Sequence, residues 1–157
     1  MPSSPPPAFV HRRVVEFYET DLAGLAHFSN FFRWMECTEL AFLHEHAIPV
    51  FTAGASGQRG WPRASACAQF KAPLRFGDEI EVRLRVVSVG RACVRYGFEI
   101  WRLAGPGAPE LAATGELASV HATRPRSSGQ LRPASLLPAT RAKLVKLVDP
   151  PSGKISP

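Results

Sequence analysis

The sequence predicts a single α+β domain in which an antiparallel sheet packs around one long helix. Residues 30–47 contain no Pro or Gly and are rich in large apolar side chains, as expected of a buried helix. Four later segments have the period of strands and are joined by hairpin-sized turns, which indicates antiparallel pairing rather than βαβ units. At 157 residues the chain is long enough to bury one core without disulfide or metal staples.

The first elements are predicted from their residue types and from the Pro and Gly residues that interrupt them. Residues 9–18 are rich in β-branched and aromatic types and form a first strand. The helix over 30–47 ends before Pro49, and its solvent-facing positions are polar: Arg33, Glu36 and His44. Residues 52–60 contain three glycines, and we expect them to form an irregular loop.

The later strands alternate apolar and polar residues, which predicts one buried face and one solvent-exposed face. The clearest is 78–89, whose alternate residues are apolar: Ile80, Val82, Leu84 and Val86. Segments 64–76, 92–103 and 110–123 are the other three strands. In the segment 92–103 the alternating residues are Val94, Tyr96, Phe98 and Ile100. The alanines at 64, 66 and 68 predict a face that a helix approaches closely. A short amphipathic helix is expected around residues 139–148.

Composition gives no sign of a membrane span, a secretion signal or a metal site. No apolar run approaches the roughly 20 residues that a membrane helix needs, and the amino terminus lacks the pattern of a secretory signal. Three cysteines without C-x-x-C spacing suit a reducing compartment and argue against a disulfide framework. We therefore expect a cytoplasmic protein without metal or redox cofactor.

The net charge of +6 is concentrated at the carboxyl end. Residues 1–120 hold 12 Lys or Arg and 12 Asp or Glu, whereas residues 121–157 hold seven and one. Such a tail suits nucleic acid, an anionic lipid surface or a ligand with several phosphates, and a solvated tail without a dedicated partner is as good an interpretation. Nucleic acid is not favoured, because residues 121–157 contain no Phe, Tyr or Trp for base stacking.

One motif carries possible chemistry: residues 19–36 read ETDLAGLAHFSNFFRWME. The stretch joins a strand to the amino terminus of the buried helix, where free N–H groups and the helix dipole stabilise an oxyanion. A carboxylate such as Asp21 beside a polarised carbonyl can attack it or activate water. Spacing alone favours an ordinary turn, with Asp21 for hydrogen bonds and Gly24 for positive φ, and a surface or capping position for His27.

The run VEFYETDLAGLAHFSNFFRWMECTELAFL resembles the hotdog-fold acyl-CoA thioesterases of the 4-hydroxybenzoyl-CoA thioesterase family. In that family a strand ends in an acidic D-x-D-x-x-G signature followed by an aromatic-rich helix, and FKAPLRFGDEIEVRLRV is similar to its second and third strands. The resemblance covers about residues 9–124 and implies a five-stranded antiparallel sheet wrapped around one central helix.

The resemblance also implies site residues. The family's catalytic carboxylate falls on Asp21, its oxyanion donor on the backbone N–H of Phe28, and its signature glycine on Gly24. His27 stands one place earlier than the family's Tyr or His, and Glu19 replaces the commoner first Asp. Arg91 matches a basic position that contacts the nucleotide of CoA in some members of the family. From the charge of the tail we expect its basic residues, including Arg124 and Arg132, to add to that phosphate contact.

Together these observations predict an acyl-CoA thioesterase that acts on an acyl-CoA substrate, with Asp21 as nucleophile or general base. A hotdog hydratase or dehydratase and a non-catalytic binding module with a basic tail are the alternatives. The predicted layout is a disordered lead-in over 1–8, a hotdog domain over 9–124 and a basic, partly helical extension over 125–157. Open sheet edges predict a homodimer or homotetramer.

Overall fold

The computed structural model describes residues 6–103, 105 and 107–148. It contains nine strands and two α-helices within those residues: β1 Phe9–Val14, α1 Phe28–Glu45, β2 Thr52–Gly54, β3 Gly57–Gly60, β4 Arg63–Phe70, β5 Glu79–Val89, β6 Cys93–Leu103, β7 Glu110–Val120, β8 Ala122–Pro125, β9 Arg132–Pro133 and α2 Pro138–Val145. Five strands form an antiparallel sheet in the order β1-β5-β6-β7-β4, and four form a smaller sheet in the order β2-β3-β8-β9. The predicted α+β class is confirmed.

The core lies between α1 and one face of the large sheet. Helix α1 buries Phe31, Trp34, Met35, Thr38, Glu39, Phe42 and Leu43, a spacing of three and four residues that keeps one stripe on the sheet. The alternating residues predicted for β5 are all buried, as are Val94, Tyr96, Phe98 and Ile100 of β6. Period alone therefore identified the inner face of the central strands.

Several predicted boundaries differ from the structure. The strand predicted over 64–76 ends at Phe70, and the strand predicted over 110–123 ends at Val120. Strand β1 ends at Val14, because the chain turns into a 3₁₀ segment, Phe17–Glu19, whose first turn is closed by a capping box between Glu16 and Glu19. Helix α1 starts at Phe28 and ends at Glu45, two residues earlier at each end than predicted, because His27 is its N-cap and Ala47 has a positive φ of 49°.

The expectation of an irregular loop at residues 52–60 is wrong. Strands β2 and β3 form a hairpin, and β3 pairs with β8 beyond the end of β7. Gly57 allows this pairing, since a Cβ there would meet the backbone of Arg124. Pairing with a distant strand supplies hydrogen bonds that composition does not reveal.

The close approach of helix to sheet occurs at Gly115 rather than at the alanines of β4. A Cβ at Gly115 would collide with the Met35 side chain of α1 and would lie 2.9 Å from the Cys67 carbonyl oxygen. Ala64 and Ala66 are exposed, because β4 is an edge strand that pairs only with β7 among the described residues.

The segment after β8 returns to the domain as far as it is described. The Leu136 N–H donates to the Arg91 carbonyl oxygen, and Leu136 and Leu144 are buried in the core. Helix α2 spans Pro138–Val145, which overlaps the predicted region and starts one residue before it. Residues 1–5 of the predicted lead-in and residues 149–157 of the predicted extension lie outside the described residues.

Candidate functional site

The loop between the 3₁₀ segment and α1 folds back on itself. Thr20 and Ala26 form an isolated antiparallel bridge, and the Asp21 N–H donates to the Leu25 carbonyl oxygen at 2.8 Å. Gly24 has a φ of 72°, a conformation that costs little only for glycine, so the turn predicted from its residue types forms.

Asp21 is exposed and holds this turn with one oxygen of its carboxylate. Oδ1 accepts hydrogen bonds from the Ala23 N–H at 2.8 Å and the Leu25 N–H at 3.3 Å. No described residue bonds to Oδ2. The hydrogen bonds of the turn therefore use only Oδ1 and leave Oδ2 available to a ligand or water.

The buried Glu19 carboxylate connects the elements that surround the site, a role that was not predicted from the sequence. Only 5% of the residue is exposed, and its carboxylate accepts from Arg13 Nη2 at 2.5 Å, Trp34 Nε1 at 2.7 Å and the Glu16 N–H at 2.9 Å. Strand β1, the 3₁₀ turn and α1 are thus tied to one side chain. The contact between Glu19 and Trp34 joins residues 15 positions apart. No local sequence pattern indicates it.

The backbone of Glu19 fixes the start of α1. Its carbonyl oxygen accepts from the His27 N–H at 2.8 Å and from Asn30 Nδ2 at 2.7 Å. His27 is exposed and caps the helix, since its Nδ1 accepts from the Ser29 N–H at 3.4 Å and lies 2.8 Å from Ser29 Oγ. The capping interpretation of His27 is confirmed.

The first N–H of α1 is free. Phe28 is 59% exposed, and its N–H has no acceptor among the described residues. Unpaired N–H groups at a helix start carry the positive end of the helix dipole. This position can therefore stabilise an oxyanion.

An apolar cavity of about 270 Å³ adjoins this helix end. It is lined by Leu25, Ala26, Phe28, Phe31, Phe70, Lys71, Ala72, Pro73 and Leu74. Asp21 is not among the lining residues. The β4–β5 connection reaches the site because the Ala26 N–H donates to the Leu74 carbonyl oxygen at 2.8 Å, a contact between residues far apart in the sequence.

The predicted phosphate-contacting residues lie away from the Asp21 loop. Arg91 follows β5, whereas the Asp21 loop packs beside the start of β5, so an 11-residue strand, about 35 Å long, separates them. Arg91 donates to Ser135 Oγ at 3.1 Å. Arg124 and Arg132 lie on opposite faces of the small sheet, because Arg132 pairs with Thr123 and successive residues of a strand alternate.

The chain is similar to known proteins over much of its length. The family model described as thioesterase superfamily matches residues 23–107, more than half of the chain. A protein of Aquifex aeolicus (strain VF5) named "Putative esterase" is 31% identical over 94 residues, which are 60% of this chain and 73% of that protein. A 1,4-dihydroxy-2-naphthoyl-CoA hydrolase of Parasynechococcus marenigrum (strain WH8102) is 31% identical over 88 residues, 52% of this chain and 58% of that protein.

The fold matches solved structures as well. Crystal structures of the dynemicin thioesterase, which reveal effects of polyene binding, align with a TM-score of 0.77 and 27% identity over 90% of this chain and 97% of that chain. The predicted hotdog fold is confirmed. Within the described residues, neither helix has the length and apolar character to cross a membrane.

Proposed function

Because the chain belongs to the thioesterase superfamily, we propose that it hydrolyses an acyl-CoA thioester to the free acid and CoA. The observation that carries the proposal is the unpaired Phe28 N–H at the start of α1, directly after a loop that presents a half-free carboxylate, Asp21. One group stabilises negative charge and the other supplies a nucleophile or base, which are the two needs of acyl transfer.

Two routes use the same groups. In the first, Asp21 Oδ2 attacks the thioester carbonyl carbon, the C–S bond breaks, CoA leaves as the thiolate, and water hydrolyses the resulting anhydride. In the second, Asp21 takes a proton from water as the water oxygen attacks that carbon, and the C–S bond of the tetrahedral intermediate then breaks, so that CoA leaves and takes up the proton from Asp21. In both, the carbonyl oxygen becomes an oxyanion that accepts from the Phe28 N–H.

The acyl group is proposed to occupy the apolar cavity. Its lining of Phe28, Phe31 and Phe70 offers ring faces and edges, and Phe31 packs edge-on against Phe70 with centroids 4.9 Å apart. Burial of an apolar acyl group here releases water from hydrophobic surface. A charged acyl group would lose its hydration without gaining a partner, except from Lys71 at the rim.

CoA binding by Arg91 at the site of the Asp21 loop calls for a second copy of the chain, because within one copy the two lie toward opposite ends of β5. We therefore propose a homodimer through the free edge of β4, where Ala64, Ala66 and Phe70 are exposed. Analytical ultracentrifugation tests this, and an active monomer at micromolar concentration would contradict it. Three free cysteines suit the proposed cytoplasmic setting.

A thiol-release assay over short, long and aromatic acyl-CoA esters tests the proposed activity. We expect release of free CoA with at least one ester, and faster turnover of apolar than of carboxylated acyl groups. Hydration of an enoyl-CoA, followed in parallel, is the competing reaction. Hydration without thiol release would overturn the proposal.

A further inference from the structure

A second cavity, with a mostly apolar surface that several polar side chains interrupt, lies at the other end of α1, about 27 Å from the Asp21 loop if measured along the 18-residue helix. Its volume is about 30 Å³, which is room for about two water-sized groups. Arg59, Trp61, His121 and Thr140 are among its lining residues, which come from the small sheet, its flanks and α2.

His121 is buried at this cavity with one ring nitrogen unused. The residue is 6% exposed, its Nδ1 lies 3.1 Å from the Ala134 carbonyl oxygen, and its ring packs on Trp61 with centroids 5.2 Å apart. Trp61 is itself held by a hydrogen bond from Nε1 to the Pro49 carbonyl oxygen. With Nδ1–H donating to Ala134, Nε2 is the free nitrogen, and no described residue bonds to it.

Thr140 contributes a second unused polar group. It is 7% exposed, lines the same cavity, and its hydroxyl has no hydrogen-bond partner among the described residues. Thr140 is the third residue of α2, whose N-cap, Leu137, offers no side-chain acceptor. The N–H groups of Ala139 and Thr140 are therefore also unpaired within the part of the chain that the structure describes.

The charge around the cavity is positive. Residues 46–77 and 117–148, which supply all of its lining, contain no Asp or Glu. Arg59 is exposed at the cavity and makes no ion pair or hydrogen bond with any described side chain. Arg59 also shares a face of the small sheet with Arg132, because each pairs with Thr123. Unpaired donors beside one arginine, with no acid in the segments that line the cavity, are a combination that favours an anion.

We propose that this cavity binds a phosphoryl group. Two phosphate oxygens fill the cavity and accept from the Thr140 hydroxyl and the α2 N–H groups, while Arg59 pairs with the oxygens at the mouth. His121 Nε2 donates to an oxygen when the ring is protonated, or accepts from P–OH when it is neutral. The site does not depend on the chemistry at Asp21.

Phosphate titration of the full chain, followed by amide NMR at constant ionic strength in chloride, tests the proposal. We expect saturable shifts centred on residues 137–141 and His121. Thr140→Val keeps the branched shape without the hydroxyl and should weaken phosphate binding about tenfold, whereas Thr140→Ser should bind within about threefold of the wild type. Arg59→Gln should also weaken it about tenfold, and Arg33→Gln, on the exposed face of α1, should not.

The phosphoryl group can belong to CoA or be free phosphate, and a competition arm separates them. Displacement of phosphate by CoA, with weaker CoA binding by Thr140→Val, supports the site as part of CoA recognition. Simultaneous binding of CoA and phosphate supports a separate phosphate site. Shifts that do not saturate, or equal affinity of Thr140→Val and wild type, would overturn the proposal. None of these readouts requires turnover, so loss of the proposed thioesterase activity would be seen independently.

Discussion

The two ends of α1 use their polar groups in opposite ways. At the amino-terminal end the Glu19 carboxylate, its carbonyl oxygen and one oxygen of Asp21 are all bonded to the protein, and Arg13 is paired with Glu19. At the carboxyl-terminal end Arg59, Arg91, Arg124 and Arg132 are exposed without a carboxylate partner among the described residues.

The bonded groups at the amino-terminal end hold the site in one geometry, whereas the arginines at the carboxyl-terminal end are available to bind an anion. Fixed groups cost little reorganisation when a transition state forms, whereas unpaired arginines attract phosphate in ground state and transition state alike. Substitutions at the first end should therefore act on kcat and stability, and those at the second end on KM.

The largest effect is expected from Asp21→Asn. Asn retains the oxygen that accepts from Ala23 and Leu25 but can neither attack nor take a proton, so kcat should fall about 10²-fold to 10⁴-fold with little change in Tm. Asp21→Ala should lose the turn contacts as well and cost about 1 kcal/mol of stability. Thiol release and thermal unfolding measure both. Near wild-type turnover by Asp21→Asn would reduce Asp21 to a turn residue.

Glu19→Ala tests how much the stability of the amino-terminal end of α1 depends on one buried side chain. Removal of the carboxylate leaves Arg13 and Trp34 without their partner, and we expect a loss of about 3–5 kcal/mol in the free energy of unfolding. Glu45→Ala, an exposed acid at the other end of α1, should change it by less than about 0.5 kcal/mol. Urea unfolding gives both values, and equal losses would remove the assigned role of Glu19.

Two glycines with similar positive φ angles provide a matched pair of substitution sites, one in the Asp21 turn and one in the turn between β8 and β9. Gly24 and Gly129 have φ values of 72° and 64°, and a Cβ at either would meet nothing within 4 Å. Each Gly→Ala should therefore cost about 1–2 kcal/mol of stability. Only Gly24→Ala should also lower kcat, because only that turn carries Asp21. A similar kcat loss in Gly129→Ala would mean that the effect comes from stability alone.

Arg91→Ala should give the smallest effect, a rise of several-fold in KM for acyl-CoA with kcat unchanged, since a distant phosphate contact contributes uniform binding. The KM for an acyl-pantetheine, which lacks the nucleotide, should not change. Arg33→Ala is the matched control on the exposed face of α1. An equal rise in KM for both substrates would place the effect of Arg91 outside nucleotide binding.

The sequence by itself determined the fold class, the inner face of β5 and β6, the position of α1 to within two residues and the turn at Asp21. Each of these depends on a local pattern: a period of two in strands, an apolar run without Pro or Gly in the helix, or turn chemistry within a few residues. Resemblance of the motif then pointed to a hotdog thioesterase.

Only the tertiary structure decided the contacts of Glu19, the apolar cavity that Leu74 helps to line, the hairpin at residues 52–60 and the cavity lined by His121 and Thr140. These depend on partners distant in the sequence, and a single chain carries no signal of which distant residue will pair with which. The close approach at Gly115 rather than at the alanines of β4 has the same cause. Periodicity identifies the face of a strand, and packing decides which neighbour meets it.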